Sequence, residues 1–143
     1  MSGVSVIWYL LKTNSPVLAV VPVARIYAGD LAIGTTLPAI SVTQISSVPY
    51  NLLRINQAGK VHSDRIQVTC LFKGPEGSPA GTGYPGVRAL LLLVLAACPS
   101  QRGTVNSISV DSITPDIEGP DLYSEAEALY SGSRDFFVRW VGA

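Results

Sequence analysis

The stretch Val87 to Cys98 holds one charged side chain, Arg88, and lies between Pro85 and Pro99. Strong helix formers behind a proline suited to the first helical turn predict a helix, and the second proline stops it. A helix apolar all round needs cover on more than one side, from its own sheet and loops or from a neighbouring subunit. Its uninterrupted apolar run, Ala89 to Cys98, is ten residues, about half of the roughly 20 that a bilayer span requires. This helix is therefore expected inside a packed structure, and no membrane partner is expected.

The rest of the composition agrees with a core-rich chain. The 143 residues are 48% hydrophobic and 14% charged, with a mean hydropathy of +0.35. Disorder needs the opposite balance, and this length fits one domain, residues 1–143. The excess apolar surface is expected to meet other subunits. Ten basic and ten acidic residues cancel, so a general electrostatic route to DNA or to an anionic membrane is missing, and sequence-specific nucleic-acid binding is not expected. Cys70 and Cys98 both sit in apolar runs; they read as small core residues, not a disulfide framework, which makes an intracellular origin the default expectation. Met1 to Leu11 has no basic lead and no small-residue cleavage site, so it does not read as a signal peptide.

Along the chain, Ser2 to Lys12 spaces Val4, Ile7, Leu10 and Leu11 as a short helix would, with Ser2 or Ser5 as its cap. Ser15, as a cap before Pro16 at the first helical position, opens a second apolar turn that Pro22 ends, closing an N-terminal helical segment over residues 1–22. Ala24 to Pro38 reads as an extended loop. A sheet-and-helix core is expected over residues 24–141. Its first strand is Ala39 to Ile45 and its second about Val61 to Phe72, where Ile66, Val68, Cys70 and Phe72 form a dry face and Arg65, Gln67 and Thr69 a wet one. Pro49 to Lys60 reads as the connection between them. Gly74 to Gly86, with five glycines and three prolines, reads as a surface loop. Val105 to Ile113 and Asp135 to Val141 are the last two strands, joined by a polar segment from Thr114 to Ser133. The terminal strand is apolar on both faces, which marks it as central or interfacial. The expected fold class is α+β: a single domain with about four strands, mostly antiparallel, one long helix packed across the sheet and a short N-terminal helix.

Catalytic chemistry is hard to place. His62 lies two residues from Asp64 and would share its face, while Ser63 would point away; an exposed strand-end His beside a solvated Asp is the simpler reading. One histidine and two separated cysteines do not fill a tetrahedral metal site, so no metal is expected. The glycines between Gly74 and Gly86 match neither phosphate-binding nor dinucleotide-binding spacing, and no cofactor is expected. Glu125 and Glu127 lie in a Ser/Glu/Ala context and read as solvated surface rather than an acid/base pair. The chain is not expected to be an enzyme.

Charge, by contrast, is sorted along the sequence. Residues 1–102 hold eight basic and three acidic side chains, a balance of +5, while residues 103–143 hold two basic and seven acidic, a balance of −5. Between Gly103 and Ser133 stand Asp111, Asp116, Glu118, Asp121, Glu125 and Glu127 with no base. One interpretation is an acidic solvated hairpin. The sharper one is an interface in which Asp116, Glu118, Asp121, Glu125 and Glu127 of one copy face a basic patch drawn from Arg25, Arg54, Lys60, Arg65 and Arg88 on the next copy or partner.

Four stretches, taken in order and spacing, carry a family resemblance. They are Arg25-Ile26-Tyr27 leading to Leu37-Pro38-Ala39-Ile40; Arg65-Ile66-Gln67-Val68-Thr69-Cys70; the helix after the glycine loop; and Ser107-Ile108-Ser109-Val110, followed by the acidic segment and Arg134-Asp135-Phe136-Phe137-Val138. Together they resemble the tail-completion or tail-terminator proteins of long-tailed bacteriophages. The helix is less charged than that family would lead one to expect, and the glycine-proline loop before it is unusual. The resemblance implies a virion protein at the head-proximal end of the tail. It would form a ring, commonly a hexamer, on the tail tube, end tube polymerisation and offer a surface to the head-side connector, with DNA passing through the lumen. Its partners would be further copies of itself, the tube protein and the connector. A neck or head-completion connector is the neighbouring alternative; a small α+β binding module or enzyme is the more distant one.

Overall fold

The computed structural model describes residues 3–29, 37–50, 61–73, 83–100, 103–124 and 129–141. A little over half of the described residues are strand, and the strands form one mixed seven-stranded sheet curled into a half-barrel. The expected four-stranded α+β layout is therefore corrected to a mostly β architecture. Helix α1 (Gly3–Lys12) and the single turn α2 (Ser15–Leu18) come first, then a 3-10 turn (Val23–Arg25). Strands β1 (Ile26–Ala28), β2 (Ala39–Tyr50) and β3 (Val61–Lys73) precede helix α3 (Tyr84–Ala97). Strands β4 (Gly103–Val105), β5 (Ile108–Glu118), β6 (Leu122–Ser124) and β7 (Leu129–Val141) complete the chain. The sheet order is β1-β2-β3-β7-β5-β4, with β6 paired to β7 beyond the end of β5. All pairs are antiparallel except β1 with β2.

The extra strands arise where local signals hid regular pairing. Ile26–Ala28, expected as loop, lies parallel to Ile40–Val42. β2 runs on to Tyr50 past a bulge between Gln44 and Ser46 that flips its alternation: Ile40 and Val42 face the core before it, and after it the exposed Ser47 lies on that side, opposite Asp64. A strand whose period breaks in mid-course reads as strand then loop. The expected single strand from Val105 to Ile113 is instead a hairpin. Asn106 and Ser107 have φ of 49° and 64°, the conformation of a two-residue turn that fits the twist of the paired strands. The polar joining segment is itself largely strand, since β5 continues to Glu118, β6 follows, and β7 begins at Leu129 rather than Asp135.

The core fills one face of the sheet. α1 buries Gly3, Val6, Ile7 and Leu11, and α3 buries Val87, Leu90, Leu91, Val94 and Ala97, the spacing of a single helical stripe. Both pack on Ile40, Val42, Ile66, Val68, Ile113, Phe136 and Val138. At Gly132 an added Cβ would come within 2.8 Å of Val87 and 2.9 Å of Leu91, so the missing side chain lets α3 settle on β7. α3 is covered by β3 and β7 and also touches α1 and α2, but its outer face has no cover among the described residues: Leu92 is 68% exposed, and Ala89 and Ala96 flank it. Asn14, not the expected Ser15, caps α2, its side-chain oxygen accepting from Val17 N–H at 3.1 Å.

Asp64, expected to be solvated, is fully buried. Its carboxylate accepts from Gly3 N–H at 2.8 Å, Trp140 Nε1–H at 2.8 Å and the Ser47 hydroxyl at 2.5 Å. Three donors and the positive end of α1 offset the cost of burying the charge. Gly3 must lack a side chain here, because a Cβ would stand 2.9 Å from that of Asp64. One acidic group thus ties α1 to β2, β3 and β7.

Two outcomes check this packing. Asp64→Ala leaves the donors of Gly3, Ser47 and Trp140 without their acceptor and should cost about 2–4 kcal/mol in urea unfolding; a loss under about 1 kcal/mol would show that α1 is held by apolar packing alone. The second concerns the thiols. Burial pushes Cys98 from 9.0 up to about 12 and raises Cys70 as well. The native state then keeps protons that the unfolded chain releases above pH 9, so their contribution is intact below about pH 9 and falls as pH rises towards 12. Neither thiol should react with a thiol-specific reagent at pH 8 until the protein is unfolded, and stability should decline above pH 9. Rapid labelling of the folded protein would contradict the placement.

Candidate functional site: a charged rim and a polar sheet face

The face of the sheet away from the helices is polar because the strands alternate. β3 sends Arg65, Gln67 and Thr69 to it, and β7 sends Ser131, Ser133 and Asp135. Arg65 donates from Nε at 2.9 Å and from Nη2 at 2.7 Å to one oxygen of Asp135, and its Nε is 3.7 Å from Asp116. The Asp135 side chain is 7% exposed, so this is the most enclosed ion pair among those described. Beside it lies a cavity of about 270 Å³ lined by Gln67, Thr69, Pro120, Leu122, Ser131, Gly132 and Ser133.

A second cluster stands at the rim, where β5 leaves the sheet beneath α3. Arg88 is 2.6 Å from Glu118 and 3.6 Å from Asp121, and Arg134 is 3.7 Å from Glu118. Glu118 foremost, with further help from Asp121 and Tyr84 and against some desolvation, holds the Arg88 guanidinium above its ordinary value. Next to this rim Tyr123 packs on Tyr130 with centroids 4.4 Å apart, and Tyr84 meets Tyr130 edge-on at 6.0 Å.

The structure thus brings together Arg65, Arg88, Asp116, Glu118 and Asp121 of the charge-split interface, as partners within one chain. Arg25 lies apart, on the turn leading into β1, with three strands between β1 and β5. Arg54, Lys60, Glu125 and Glu127 lie outside the described residues. Arg134 and Asp135 had stood only in the resemblance, yet both belong to these clusters. The sequence signal for them was an adjacent Arg-Asp pair inside an apolar strand, where a charge needs a partner. His62 is stacked on Trp140, with ring centroids 4.6 Å apart and an interplanar angle of 17°; Trp140 in turn donates to Asp64. That places His62 against a structural network. Among the described residues no group of three His, Cys, Asp or Glu side chains is placed to hold a metal ion, and no helix is long and apolar enough to cross a membrane.

Because Asp135 is enclosed and Arg65 is about a third exposed, removing the guanidinium strands a buried carboxylate. Arg65→Ala should cost about 2–4 kcal/mol in chemical unfolding, whereas Arg88→Ala, at the exposed rim, should leave the midpoint nearly unchanged. Equal losses from the two variants would contradict this ranking.

No protein-family model and no curated protein matches the sequence. Among solved structures, a chain from the virion of a native gene transfer agent (GTA) particle matches with a TM-score of 0.68. The match covers 99% of this chain and 96% of that chain at 11% sequence identity. At that identity the likeness is one of fold, and it extends over essentially the whole of both chains.

Proposed function

We propose that this protein is a structural component of a phage-type virion. It forms a ring on the end of the tail tube, stops tube growth and presents a surface to the head-side connector. The observation that carries the virion role is the end-to-end correspondence of fold with a gene transfer agent virion chain. The position at the tail end rests on the resemblance of the four sequence stretches to tail-terminator proteins. The chemistry of the molecule suits a role built on contact surfaces. Its most buried acid, Asp64, is spent on holding α1, and its most enclosed ion pair, Arg65 with Asp135, ties β3 to β7. Large apolar side chains remain on the outside, Leu92, Ile45, Val48 and Ile117 among them, in a protein with little charge to spare. A head-to-tail ring uses two different patches per subunit, and these side chains are spread over a helix and two strands. In this role the protein acts through binding and not as an enzyme.

Deleting the gene from its particle-producing genome tests the role. The expected outcome is tails of uncontrolled length, or finished tails unable to join heads, with an antibody to the protein marking the head-proximal tail end in wild-type particles. Normal infectious particles from the deletion would overturn the role. Label confined to heads would overturn the tail position and favour a neck or head-completion connector.

A further inference from the structure

Neither end of the sheet is fully capped by the described residues. β1 covers β2 only at Ile40–Val42, so residues 43–50 of β2 pair with β3 alone. At the other end β4 covers β5 only at Ile108–Val110, so over residues 111–118 β5 has β7 as its one neighbour, paired at Ser112–Pro115 and Glu118 and bulged at Asp111 and at Asp116-Ile117. A strand with one unpaired side is a template for another chain. These two open edges match in length, eight residues each. They also run in opposite directions, because β2, β3, β7 and β5 alternate strictly.

That polarity has a geometric consequence. If two copies are related by rotation about an axis roughly along the strands, β2 of one meets β5 of the next antiparallel, the more favourable pairing, and every copy has both edges satisfied. A two-fold contact of β2 with β2 would leave every β5 edge open.

The side chains fit the same arrangement. Residues 43–50 are Thr-Gln-Ile-Ser-Ser-Val-Pro-Tyr, with no charge. They expose Ile45 at 50% and Val48 at 54%. The β5 edge exposes Ile117 at 58%. Its acids do not stand in the way, for Asp116 is matched by Arg65, Glu118 by Arg88 and Arg134, and Asp111 is engaged as well. An uncharged edge can then close on it without stranding an unpaired carboxylate. The bulges at Ile45, at Asp111 and at Asp116-Ile117, together with Pro49 and Pro115, interrupt both edges. Such interruptions discourage indiscriminate pairing, and here they restrict a partner to a short ladder in a limited register.

We infer that copies of this chain join head to tail by edge-strand pairing, residues 43–50 of one copy against residues 111–118 of the next, with Ile45, Val48 and Ile117 buried in the contact. The inference goes beyond the proposed role and can fail while that role stands.

The full-length protein tests it. Ile45→Cys and Ile117→Cys variants are purified separately, mixed, and treated with a short bismaleimide; the native thiols, Cys70 and Cys98, are buried. The expected result is crosslinked dimer in the mixture and in the double variant, little in either single variant, and an oligomer by native mass measurement. Ile45→Lys combined with Val48→Lys should shift the mass to monomer while circular dichroism keeps its strand signal. An oligomer without the mixed crosslink overturns the edge pairing and leaves the ring reading intact. Strong crosslinking of Ile45→Cys with itself overturns it in favour of a two-fold contact. A wild-type protein that stays monomeric at every concentration overturns it outright, and the deletion phenotype then decides the tail role separately.

Discussion

The pairing of β3 with β7 is the constraint on which the remaining structure hangs. Thirteen consecutive residues on each strand are in register, from Val61 against Val141 to Lys73 against Leu129, although the strands are separated in sequence by a helix and three other strands. A slip of one residue would send Ile66, Val68, Phe136 and Val138 to the polar side and Arg65 and Asp135 into the core. The two faces therefore defend the same register. On the helix side Asp64 and Trp140, from the two strands, share a hydrogen bond; on the other side Arg65 and Asp135 do. The polar groups here fix geometry, and the apolar burial around Phe136 supplies the bulk of the stabilisation.

The sorting of charge along the sequence takes a different meaning once the chain is folded. β5 carries acids to a sheet whose neighbouring positions are Arg65 and Arg134, and α3 brings Arg88 over the same rim. Basic early and acidic late segments are thus partners in cis. Exposed pairs of this kind contribute little to stability. Their larger effect is to neutralise the outer margin of the sheet, leaving an end surface that is neither strongly acidic nor strongly basic. A margin of that kind discriminates by shape and by backbone pairing more than by long-range attraction.

Much of the helical structure was legible, the first helix from its apolar spacing and α3 from strong helix formers between two prolines. Of the residues that spaced the first helix in the sequence, Ile7 and Leu11 are buried and Val4 and Leu10 half-buried, while the stripe Val87, Leu90, Leu91, Val94 emerges only in the fold, out of a run that is apolar all round. The dry face of β3 was equally plain, with Ile66, Val68 and Cys70 at every second residue. What escaped were features whose local signal contradicts their structure. A bulge flips the period in β2, and the turn at Asn106-Ser107 carries no glycine to announce it. Near its start β7 carries Ser131, Gly132 and Ser133, small residues that imitate a loop, yet Gly132 is required where α3 presses on the strand. Asp64 escaped for another reason. Its donors come from Gly3, Ser47 and Trp140, and only tertiary structure brings an N-terminal amide to the middle of a sheet. The site was legible as a set of charges and illegible as a set of partners, since spacing in sequence says little about which arginine meets which acid.

The same physics explains why so apolar a chain leaves so much hydrophobic surface in view. α3 has one stripe committed to the core, and among the described residues no second layer lies above Leu92. The sheet curls but closes only half of a barrel, so its marginal strands keep one side each without a partner among the described residues. In an isolated molecule both arrangements are costly, because exposed apolar side chains and unpaired strand edges invite association. They become economical when association is the working state, with like copies supplying the missing cover in a fixed order. The bulge in β2 and the proline in each marginal strand then serve as the selective element. They weaken the ladder enough that stray chains gain little from it, while a correctly aligned copy gains the strand pairing and the burial of Ile45, Val48 and Ile117 together.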